Sequence, residues 1–457
     1  MTTSGFTAEL ARRTAGLQRS DLEADLVVRA QQCVLDWLGV TLAGSREEAS
    51  TILLDGLGFL AGGPDGATSG AGASGSTVIG RDFRLPADHA ALVNGTAGHA
   101  LDYDDVNTTM LGHPTAAVLP AVLALAELTG ASGAQVLTAF VAGYETECTV
   151  SRALGPSHYL RGFHATATSG TLGAAAGCAN LLGLDPGASA AALGLACTQA
   201  AGLKSMFGTM AKPFHAGRAA SAGLLAAVLA GRGFSAHLEA VETDQGLAAT
   251  HSDSFDAGRG LTAPSEGWYL RANLFKYHAS CFQTHSSIEG LTRLRAAEDL
   301  RPEDIIRVTI HADAMQMGMC AIPEPATGLE VKFSLRHTAA LALAGVDTSA
   351  PQSYSDAVAV DPALVDLRKR IEVVSDRSGA GATPVEVVRA NGPVLSVAHD
   401  VSVPESDLEW QGRRLREKFQ ALVTPVLGAA GATALAGLVQ DLDRAGDVSG
   451  LMGACRS

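Results

Sequence analysis

The sequence predicts a mainly α-helical protein, with one large all-helical domain and a smaller α+β domain inserted into it. From the N-terminus to about residue 240, Ala-, Gly- and Leu-rich segments show helical periodicity between Gly and Pro breaks. Between residues 304 and 400 the pattern changes to short runs of β-forming residues, and after Pro404 it becomes helical again. We therefore expect a helical domain over residues 1–267, an inserted α+β domain over 268–400, and a return to the helical domain over 401–457.

The helical segments differ in how much apolar surface they carry. The segment 25–44, DLVVRAQQCVLDWLGVTLAG, is amphipathic and ends in Gly. Four others are apolar nearly all round, as buried helices are: LPAVLALAELTG, GTLGAAAGCANLLGLD, ASAAALGLACTQAAGL and AASAGLLAAVLAGRG. Their many small side chains predict that helix backbones approach one another closely. The Gly/Ser-rich stretch 60–80 predicts a loop.

The inserted domain shows three strand-like runs and one helix. The strands are predicted over 304–313, 370–376 and 384–400, and the helix over 331–345. Asn391-Gly392 indicates a hairpin turn inside the last run. Ser406 and Glu409 form a capping-box pattern at the start of the returning helix.

Composition excludes several classes of protein. Hydrophobic residues make up 47% and charged residues 18%, and the net charge is −14 without any Lys/Arg run, which argues against binding to nucleic acid or to an anionic membrane. The N-terminus lacks an apolar signal core, and no stretch approaches about 18 consecutive apolar residues. Seven scattered cysteines without a CxxC pattern indicate reduced thiols and argue against an iron–sulfur cluster. We expect a soluble, cytoplasmic protein.

One polar cluster interrupts the apolar helices. The stretch 94–127, NGTAGHALDYDDVNTTMLGHPTAAVLPAVLALAE, contains His99, Asp102, Asp104, Asp105 and His113. These side chains belong either to a loop that faces water or to a pocket where chemistry occurs. In a pocket, Asp102 would orient a neighbouring imidazole, as carboxylates do in acid–base sites.

Three ionisable residues precede predicted helices. His113 stands before Pro114, Lys212 before Pro213, and His164 before an Ala-rich run. Helix N-termini attract anions and disfavour the cationic form of His or Lys, so each residue is a candidate base. The alternative is that each is a solvated turn residue.

A fourth polar segment, NLFKYHASCFQTHSSIEGL, spans residues 273–291 where the inserted domain begins. Cys281 and His285 are four residues apart and would share one face of a helix. A Cys–His nucleophile, a metal site that uses His278 and Cys281, and simple packing of Cys281 are all open. The change of domain at this point suggests a cleft, the usual place for a small-molecule site.

Together these segments resemble the MmgE/PrpD family, which includes 2-methylcitrate dehydratase, cis-aconitate decarboxylase and iminodisuccinate epimerase. The resemblance covers nearly the whole chain. It is carried by VLDWLGVTLAG, STVIGRDFRLPADHAALVNGTAGHALDYDD, GHPTAAVLP, GFHATATSGTLGAAAG, GTMAKPFHAGRAA and FKYHASCFQTH. It implies a helical domain with an α+β lid, a homodimer, a carboxylate substrate, and catalysis without metal or organic cofactor.

The resemblance also assigns site residues. The catalytic pocket would be lined by Asp102, His113, His164, Lys212 and Lys276, with Tyr103 and Lys204 as substrate-binding residues. From the lid segment itself, Cys281 and His285 are further candidate substrate-binding residues.

Three positions depart from the family pattern. Val106 stands where relatives have Thr or Ser, Ala279 where they have Pro, and Cys281 where the decarboxylase has an additional lid histidine. The loss of that histidine weakens the decarboxylase interpretation. The loss of the hydroxyl group suggests a substrate less polar than citrate or aconitate, with an alkyl portion.

The preferred interpretation is a dehydratase of a β-hydroxy carboxylate. Lys212 and Lys276 would hold carboxylate oxygens, and His113 or His164 would protonate the departing hydroxide. A decarboxylase, an epimerase or isomerase of a small dicarboxylate, and a catalytically inactive scaffold are the alternatives.

Overall fold

The chain forms two compact units in the computed structural model, which describes residues 5–61, 75–379 and 381–457. The helical unit comprises Met1–Ala100, Asp104–Phe275 and Glu405–Ser457, and the lid unit comprises Leu101–Tyr103 and Lys276–Pro404. The chain passes from the helical unit to the lid unit after Phe275 and returns after Pro404. The domain limits expected at 268 and 400 stay a prediction. Of the loop predicted over 60–80, residues 62–74 lie outside the described part of the chain.

The helical unit contains most of the helices. Its helices are α1 (Phe6–Gly16), α2 (Ala24–Gly44), α3 (Glu48–Leu60), α4 (Ala87–Ala100), α5 (Pro114–Thr129), α6 (Gly133–Leu154), α7 (Pro156–Leu160), α8 (Ala165–Leu181), α9 (Pro186–Cys197), α10 (Ala211–Gly231), α11 (Leu247–His251) and α12 (Ala257–Leu261). The strands β1 (Ser76–Thr77) and β2 (Arg84–Leu85) pair antiparallel. Short 3-10 helices lie at Arg19–Asp21, Lys204–Met206, Tyr269–Ala272 and Leu442–Arg444.

Small residues set the spacing in the core of this unit. Helix α10 packs against α4 and α8, and α8 also packs against α5 and α6. At the crossing of α4 and α10, a Cβ on Gly95 would lie 2.8 Å from the Cα of Gly217. At the crossing of α6 and α8, a Cβ on Gly143 would lie 2.6 Å from the carbonyl oxygen of Gly173. The close backbone approach predicted from the sequence is therefore confirmed, and it brings the starts of several helices near one another.

The C-terminal segment returns to the helical unit as α19 (Leu408–Gln440) and α20 (Ser449–Ala454). Its N-cap is Asp407, whose side chain accepts hydrogen bonds from the backbone N–H groups of Glu409 and Trp410. The predicted Ser406 cap is therefore wrong by one residue, because the carboxylate of Asp407 takes the free amides. Helix α19 packs on α2, where Lys418 Nζ lies 2.7 Å from Asp36 Oδ1.

Helix α19 is also long and apolar enough to cross a membrane, by length and composition alone. The sequence expectation was that no segment would approach this limit. The backbone of α19 turns sharply at Gly428, where φ is 72°. Only 28% of its most apolar window is buried. One helix that meets a criterion of length and composition is weak evidence for a membrane span.

The lid unit is built on a four-stranded mixed sheet with the order β4-β3-β5-β6. The strands are β3 (Ile305–Asp313), β4 (Ile371–Arg377), β5 (Thr383–Arg389) and β6 (Leu395–His399). Strand β3 runs parallel to β4 and antiparallel to β5, and β5 pairs antiparallel with β6 across the predicted Asn391-Gly392 turn. The three strand-like runs of the sequence are therefore confirmed.

The lid unit also contains helices. They are α13 (His285–Glu298), α14 (Ala314–Cys320), α15 (Gly328–Val331), α16 (Leu335–Ala344), α17 (Asp356–Ala359) and α18 (Pro362–Lys369), with 3-10 helices at Phe282–Thr284, Pro302–Asp304 and Pro351–Tyr354. Helix α13 packs on β5, β6 and α16. Ile288 of α13, Val308 of β3 and Val387 of β5 belong to one fully buried apolar cluster. This separate core makes the lid unit compact.

The glycine contact between α4 and α10 yields a prediction about stability. A Cβ on Gly217 would collide with the carbonyl oxygen of Leu92 and the hydroxyl group of Thr96. Because backbone atoms cannot move aside cheaply, Gly217→Ala should destabilise the protein by about 1–3 kcal/mol. Thermal and urea unfolding would measure the change.

The matched control is Gly437→Ala in α19, where an added Cβ meets nothing within 4 Å. That change should stabilise the protein by about 0.5–1 kcal/mol, since Ala is the better helix former. Equal stabilities for the two variants would contradict the proposed packing constraint.

Candidate active site

Three helix starts of the helical unit carry the ionisable residues that the sequence singled out. His113 is the N-cap of α5 with Pro114 at its first position, and His164 is the N-cap of α8. Lys212 lies inside the first turn of α10 rather than ahead of it. The backbone N–H of His113 donates a hydrogen bond to the hydroxyl oxygen of Thr166, at 3.0 Å, which ties the start of α5 to the start of α8.

The carboxylate of Asp104 lies between two imidazoles. His99 Nδ1 is 2.9 Å from both oxygens of Asp104, and His113 Nδ1 is 3.4 Å from Oδ2. The ring centroids of His99 and His113 are 4.5 Å apart, and those of His99 and His164 are 5.9 Å apart. An ionised carboxylate accepts Nδ1–H bonds, so Asp104 favours the tautomer that leaves Nε2 of each ring for other partners. In this structure Nε2 of His99 has no hydrogen-bond partner.

Burial sets the charge state of this cluster. Burial lowers the pKa of His99 to about 4, although Asp104 acts against the shift. Burial also lowers the pKa of His164 well below its usual value, with His99 and Lys212 adding repulsion. For Asp104, burial alone would raise the pKa, but His99 and His113 hold it well below its usual value. At neutral pH, His99 and His164 are therefore neutral imidazoles, able to accept a proton, beside an ionised carboxylate.

Asp105 holds the start of α5 instead of an imidazole. Its carboxyl group accepts hydrogen bonds from the backbone N–H of Thr115 at 3.3 Å and from the Thr115 hydroxyl at 2.5 Å. Burial raises the pKa of Asp105 to about 7, and the charges of Asp104 and Asp36 act in the same direction. The adjacent aspartates therefore have different tasks, since Asp104 carries the charge and Asp105 anchors the helix.

In the lid unit, Lys276 forms a buried ion pair with Asp102. Lys276 Nζ donates to the carbonyl oxygen of Asp102 at 2.7 Å and lies 3.0 Å from its Oδ1. Lys332 Nζ donates to the neighbouring carbonyl of Leu101 at 2.8 Å. Asp102 has a φ of 52°, in the left-handed region, which Asp tolerates better than most residues. Two lysines thus hold the 101–103 segment, and Asp102 contacts an ammonium group in this structure where the sequence suggested an imidazole.

The other predicted substrate-binding residues lie in different surroundings. Tyr103 is fully buried in the lid unit. In the helical unit, Lys204 Nζ donates to the carbonyl oxygen of Tyr159 at 3.1 Å and lies 3.5 Å from the centre of the Tyr159 ring. Lys204 thus stays a prediction as a substrate contact.

Cys281 and His285 do not form the pair expected from their spacing. Cys281 precedes the 3-10 helix Phe282–Thr284 and His285 begins α13, so one α-helix does not carry both. The thiol of Cys281 is hydrogen-bonded to that of Cys320, and this bond lowers the pKa of Cys281. His285 Nε2 lies 3.2 Å from the carbonyl oxygen of Ser280. His278 contacts Thr348 and Glu289, so the suggested metal pair of His278 and Cys281 is not assembled.

Sequence reasoning assigned no site role to His99, Asp104 or His215. His99 and Asp104 were noticed only as part of the polar stretch. Their spacing of five residues across the end of α4 gave no helical or strand pattern to interpret. His215 follows Lys212 by three residues in KPFHAG, and that spacing on one face of α10 was the available signal.

The cluster also has the residue types of a metal site. His99, Asp104 and His113 offer possible ligand atoms that lie within 4.8 Å of one another. However, both imidazoles already direct Nδ1 at the carboxylate, and the ammonium group of Lys212 lies close enough to lower the pKa values of His99 and His164. A neighbouring ammonium disfavours a second cation, so the arrangement suits an anionic ligand better.

The buried carboxyl group of Asp105 predicts a pH-dependent stability. Its pKa is raised in the folded protein from 3.8 to about 7, so between pH 4 and 7 the unfolded chain is ionised while the folded chain keeps the proton. The wild type should lose stability through this group as the pH rises across that window, and level off above pH 7. Asp105→Asn, which resembles the neutral acid, should therefore gain stability relative to the wild type from pH 4 to 7.

Urea unfolding at several pH values would measure this difference. The control is Asp253→Asn, whose side chain is 71% exposed. A difference between wild type and Asp105→Asn that does not vary with pH would show that Asp105 is ionised in the folded state.

Comparisons with known proteins identify the family of this chain. The MmgE/PrpD N-terminal domain matches residues 8–259, and the MmgE/PrpD C-terminal domain matches residues 278–444. The chain is 27% identical to the cis-aconitate decarboxylase of Aspergillus terreus, over 98% of this chain and 95% of that protein. It is 26% identical to the cis-aconitate decarboxylase of Homo sapiens, over 98% and 94%. It is 31% identical to the cis-aconitate decarboxylase-like protein oryM of Aspergillus oryzae, over 63% and 61%.

The two domain matches together span most of the chain. The chain therefore belongs to the MmgE/PrpD family and is an enzyme of the lyase type.

Proposed function

We propose that this lyase dehydrates a β-hydroxy carboxylate, either 2-methylcitrate or a longer hydroxy acid with an alkyl portion. We further propose that it works without metal or organic cofactor, as a cytoplasmic homodimer. The observation that carries the proposal is the buried cluster at the starts of α5, α8 and α10, where neutral imidazoles stand beside an ionised carboxylate and a lysine.

Affinity for an anion comes from the helix starts and from Lys212. The free N–H groups in the first turn of a helix and the positive end of its dipole attract carboxylates. Lys212 is only 7% exposed, in the first turn of α10, so its charge acts in surroundings of low polarity. These groups would stabilise the negative charge that develops beside the carboxylate when the α-proton leaves.

Proton transfer falls to the imidazoles. Removal of the α-proton needs a neutral base, and departure of hydroxide needs a proton donor on the leaving oxygen. His113 and His164 share these two roles, one as base and the other as acid. Asp104 would hold His113 in the tautomer with Nε2 directed away from the carboxylate, and would stabilise the imidazolium that forms after proton uptake.

The choice of substrate rests on two apolar positions. Val106, which forms an isolated bridge with Leu274, stands where relatives carry a hydroxyl group. Cys281 stands where the decarboxylase has a histidine, and its thiol is hydrogen-bonded to Cys320 in the lid unit. The loss of a hydroxyl group and of an imidazole removes two polar side chains that a tricarboxylate could use, which favours an acid with an alkyl group.

The second candidate function is decarboxylation of a cis-aconitate-type acid. This function is favoured because the relatives from Aspergillus terreus and Homo sapiens are cis-aconitate decarboxylases. The same cluster would then protonate the carbanion left by the loss of CO₂. An epimerase or isomerase of a small dicarboxylate would use the same imidazoles, whereas an inactive scaffold would have no need of neutral buried bases.

A panel of carboxylates separates these functions. The purified enzyme is incubated with citrate, 2-methylcitrate, 2-alkylcitrates, longer β-hydroxy acids and cis-aconitate, and the products are identified by mass spectrometry and chiral chromatography. Dehydration predicts loss of water from an alkyl-bearing hydroxy acid, at a rate that survives exhaustive dialysis against a chelator. Release of CO₂, inversion without loss of mass, or activity that returns only with added zinc or iron would each contradict the proposal.

Substitutions at two side chains should change the kinetics in different ways. Lys276→Ala should mainly raise KM, by about tenfold to a hundredfold, if its ammonium anchors a substrate carboxylate with a charged hydrogen bond of about 1.5–3 kcal/mol. His113→Ala should instead lower kcat by about 10²–10⁴-fold with little change in KM, as expected for a proton-transfer group.

The matched control is Lys332→Ala, which removes the other lysine that binds the 101–103 segment. Similar kinetics for the two lysine variants would mean that Lys276 acts only by holding this segment. Normal turnover of both His113→Ala and Lys212→Ala would refute the proposed site.

A further inference from the structure

Two histidines of the helical unit face each other through the same type of nitrogen. His164 Nδ1 lies 3.2 Å from His215 Nδ1, and their ring centroids are 5.5 Å apart. A hydrogen bond between two Nδ1 atoms needs a proton on one ring and a lone pair on the other. The two rings therefore share a single proton at this contact, and each keeps its Nε2 for another partner.

The two rings lie at different depths. His164 is 2% exposed and its ring stacks towards His99, inside the proposed catalytic cluster. His215 is half-buried, and the neighbouring Phe214 is 37% exposed, so this part of α10 reaches the surface. The pair thus forms a path of hydrogen-bonding groups from a buried imidazole to a partly exposed one.

Gly202 fixes the geometry of the contact. Its carbonyl oxygen accepts a hydrogen bond from the backbone N–H of His164 at 3.0 Å. A Cβ on Gly202 would lie 3.4 Å from Cγ and Nδ1 of His215 and 2.5 Å from Cβ of Ala167. With a φ of 149°, this position is also strained for any residue with a side chain. Gly202 therefore helps to position both rings.

The charges around the pair favour neutral rings. His99, His113, Lys212 and His215 face His164, and burial followed by their repulsion keeps the pKa of His164 well below its usual value. Burial and the charge of Lys212 also lower the pKa of His215. A neutral imidazole can pass a proton from one nitrogen to the other without ever storing a charge in the cluster.

We propose that His215 is a proton relay that connects His164 with solvent. When His164 gives its Nε2 proton to the leaving hydroxide, Nδ1 of His164 takes the Nδ1 proton of His215, and Nε2 of His215 takes a proton from water. One proton enters from solvent for each proton given to the substrate, and no electrons are transferred. The reverse sequence carries a proton out when His164 acts as base. His215 acts through His164, so this inference rests on the proposed function of that residue.

The test compares His215→Gln and His215→Phe with the wild type across the same carboxylate panel in dilute buffer. We expect kcat to fall about tenfold to a hundredfold in both variants, while KM stays unchanged. This loss is smaller than that expected for a residue that transfers a proton to the substrate directly. Added imidazole should restore much of the lost rate, because a small base in solution can then exchange the proton with His164 directly. The control is His237→Gln, whose ring is on the surface and whose kinetics should stay normal.

Each other result has a definite meaning. A loss of rate that imidazole does not restore would make His215 a packing residue and overturn the relay, and unchanged kcat in both variants would overturn it as well. His164→Gln separates the catalytic role of His164 from the relay role of His215. If His164→Gln is inactive and the His215 variants are normal, only the relay is refuted. Full activity of His164→Gln, or a wild type that consumes no acid of the panel, removes the proposed function and the relay with it.

Discussion

The buried carboxylate of Asp104 is the interaction on which the candidate site depends. A charge with no exposed surface is tolerated only when hydrogen bonds and opposite or polar partners replace its water. Here two imidazole Nδ1 atoms, of His99 and His113, take that role at 2.9 and 3.4 Å. In return the carboxylate fixes the orientation of both rings. Without it, His99 and His113 would lose the carboxylate that orients their rings.

The helical scaffold makes this arrangement possible by bringing helix starts together. Glycines at the crossings of α4 with α10 and of α6 with α8 let the helix backbones approach more closely than a Cβ atom would allow. As a result, the first turns of α5, α8 and α10 present His113, His164 and Lys212 to a common region of the helical unit. The same N-termini that disfavour protonated imidazoles would favour a bound carboxylate.

The lid unit adds a different kind of constraint. Asp102 and Asp104 are two residues apart, but Asp102 binds Lys276 through both its side chain and its backbone, whereas Asp104 binds imidazoles. Lys332 secures the carbonyl of Leu101 in the same way. The Cys281–Cys320 hydrogen bond and the contact of His285 with a backbone carbonyl make these residues part of the lid interior. Lys276, Cys281 and His285 are therefore all held by contacts within the lid unit.

The mainly helical class, the strands of the lid, and the positions of His113 and His164 at helix starts could all be predicted from the sequence. These features follow from local rules, since periodicity, Pro at the first helical turn and Asn-Gly turns act over a few residues. Three contacts could be seen only in the folded chain: Asp104 with His99 and His113, His164 with His215, and Cys281 with Cys320 in place of His285. The histidine contacts depend on which helices pack together. The position of Cys281 depends on the 3-10 helix Phe282–Thr284, which separates it from α13. Side-chain pairs set by packing leave no periodic trace in the residues between them.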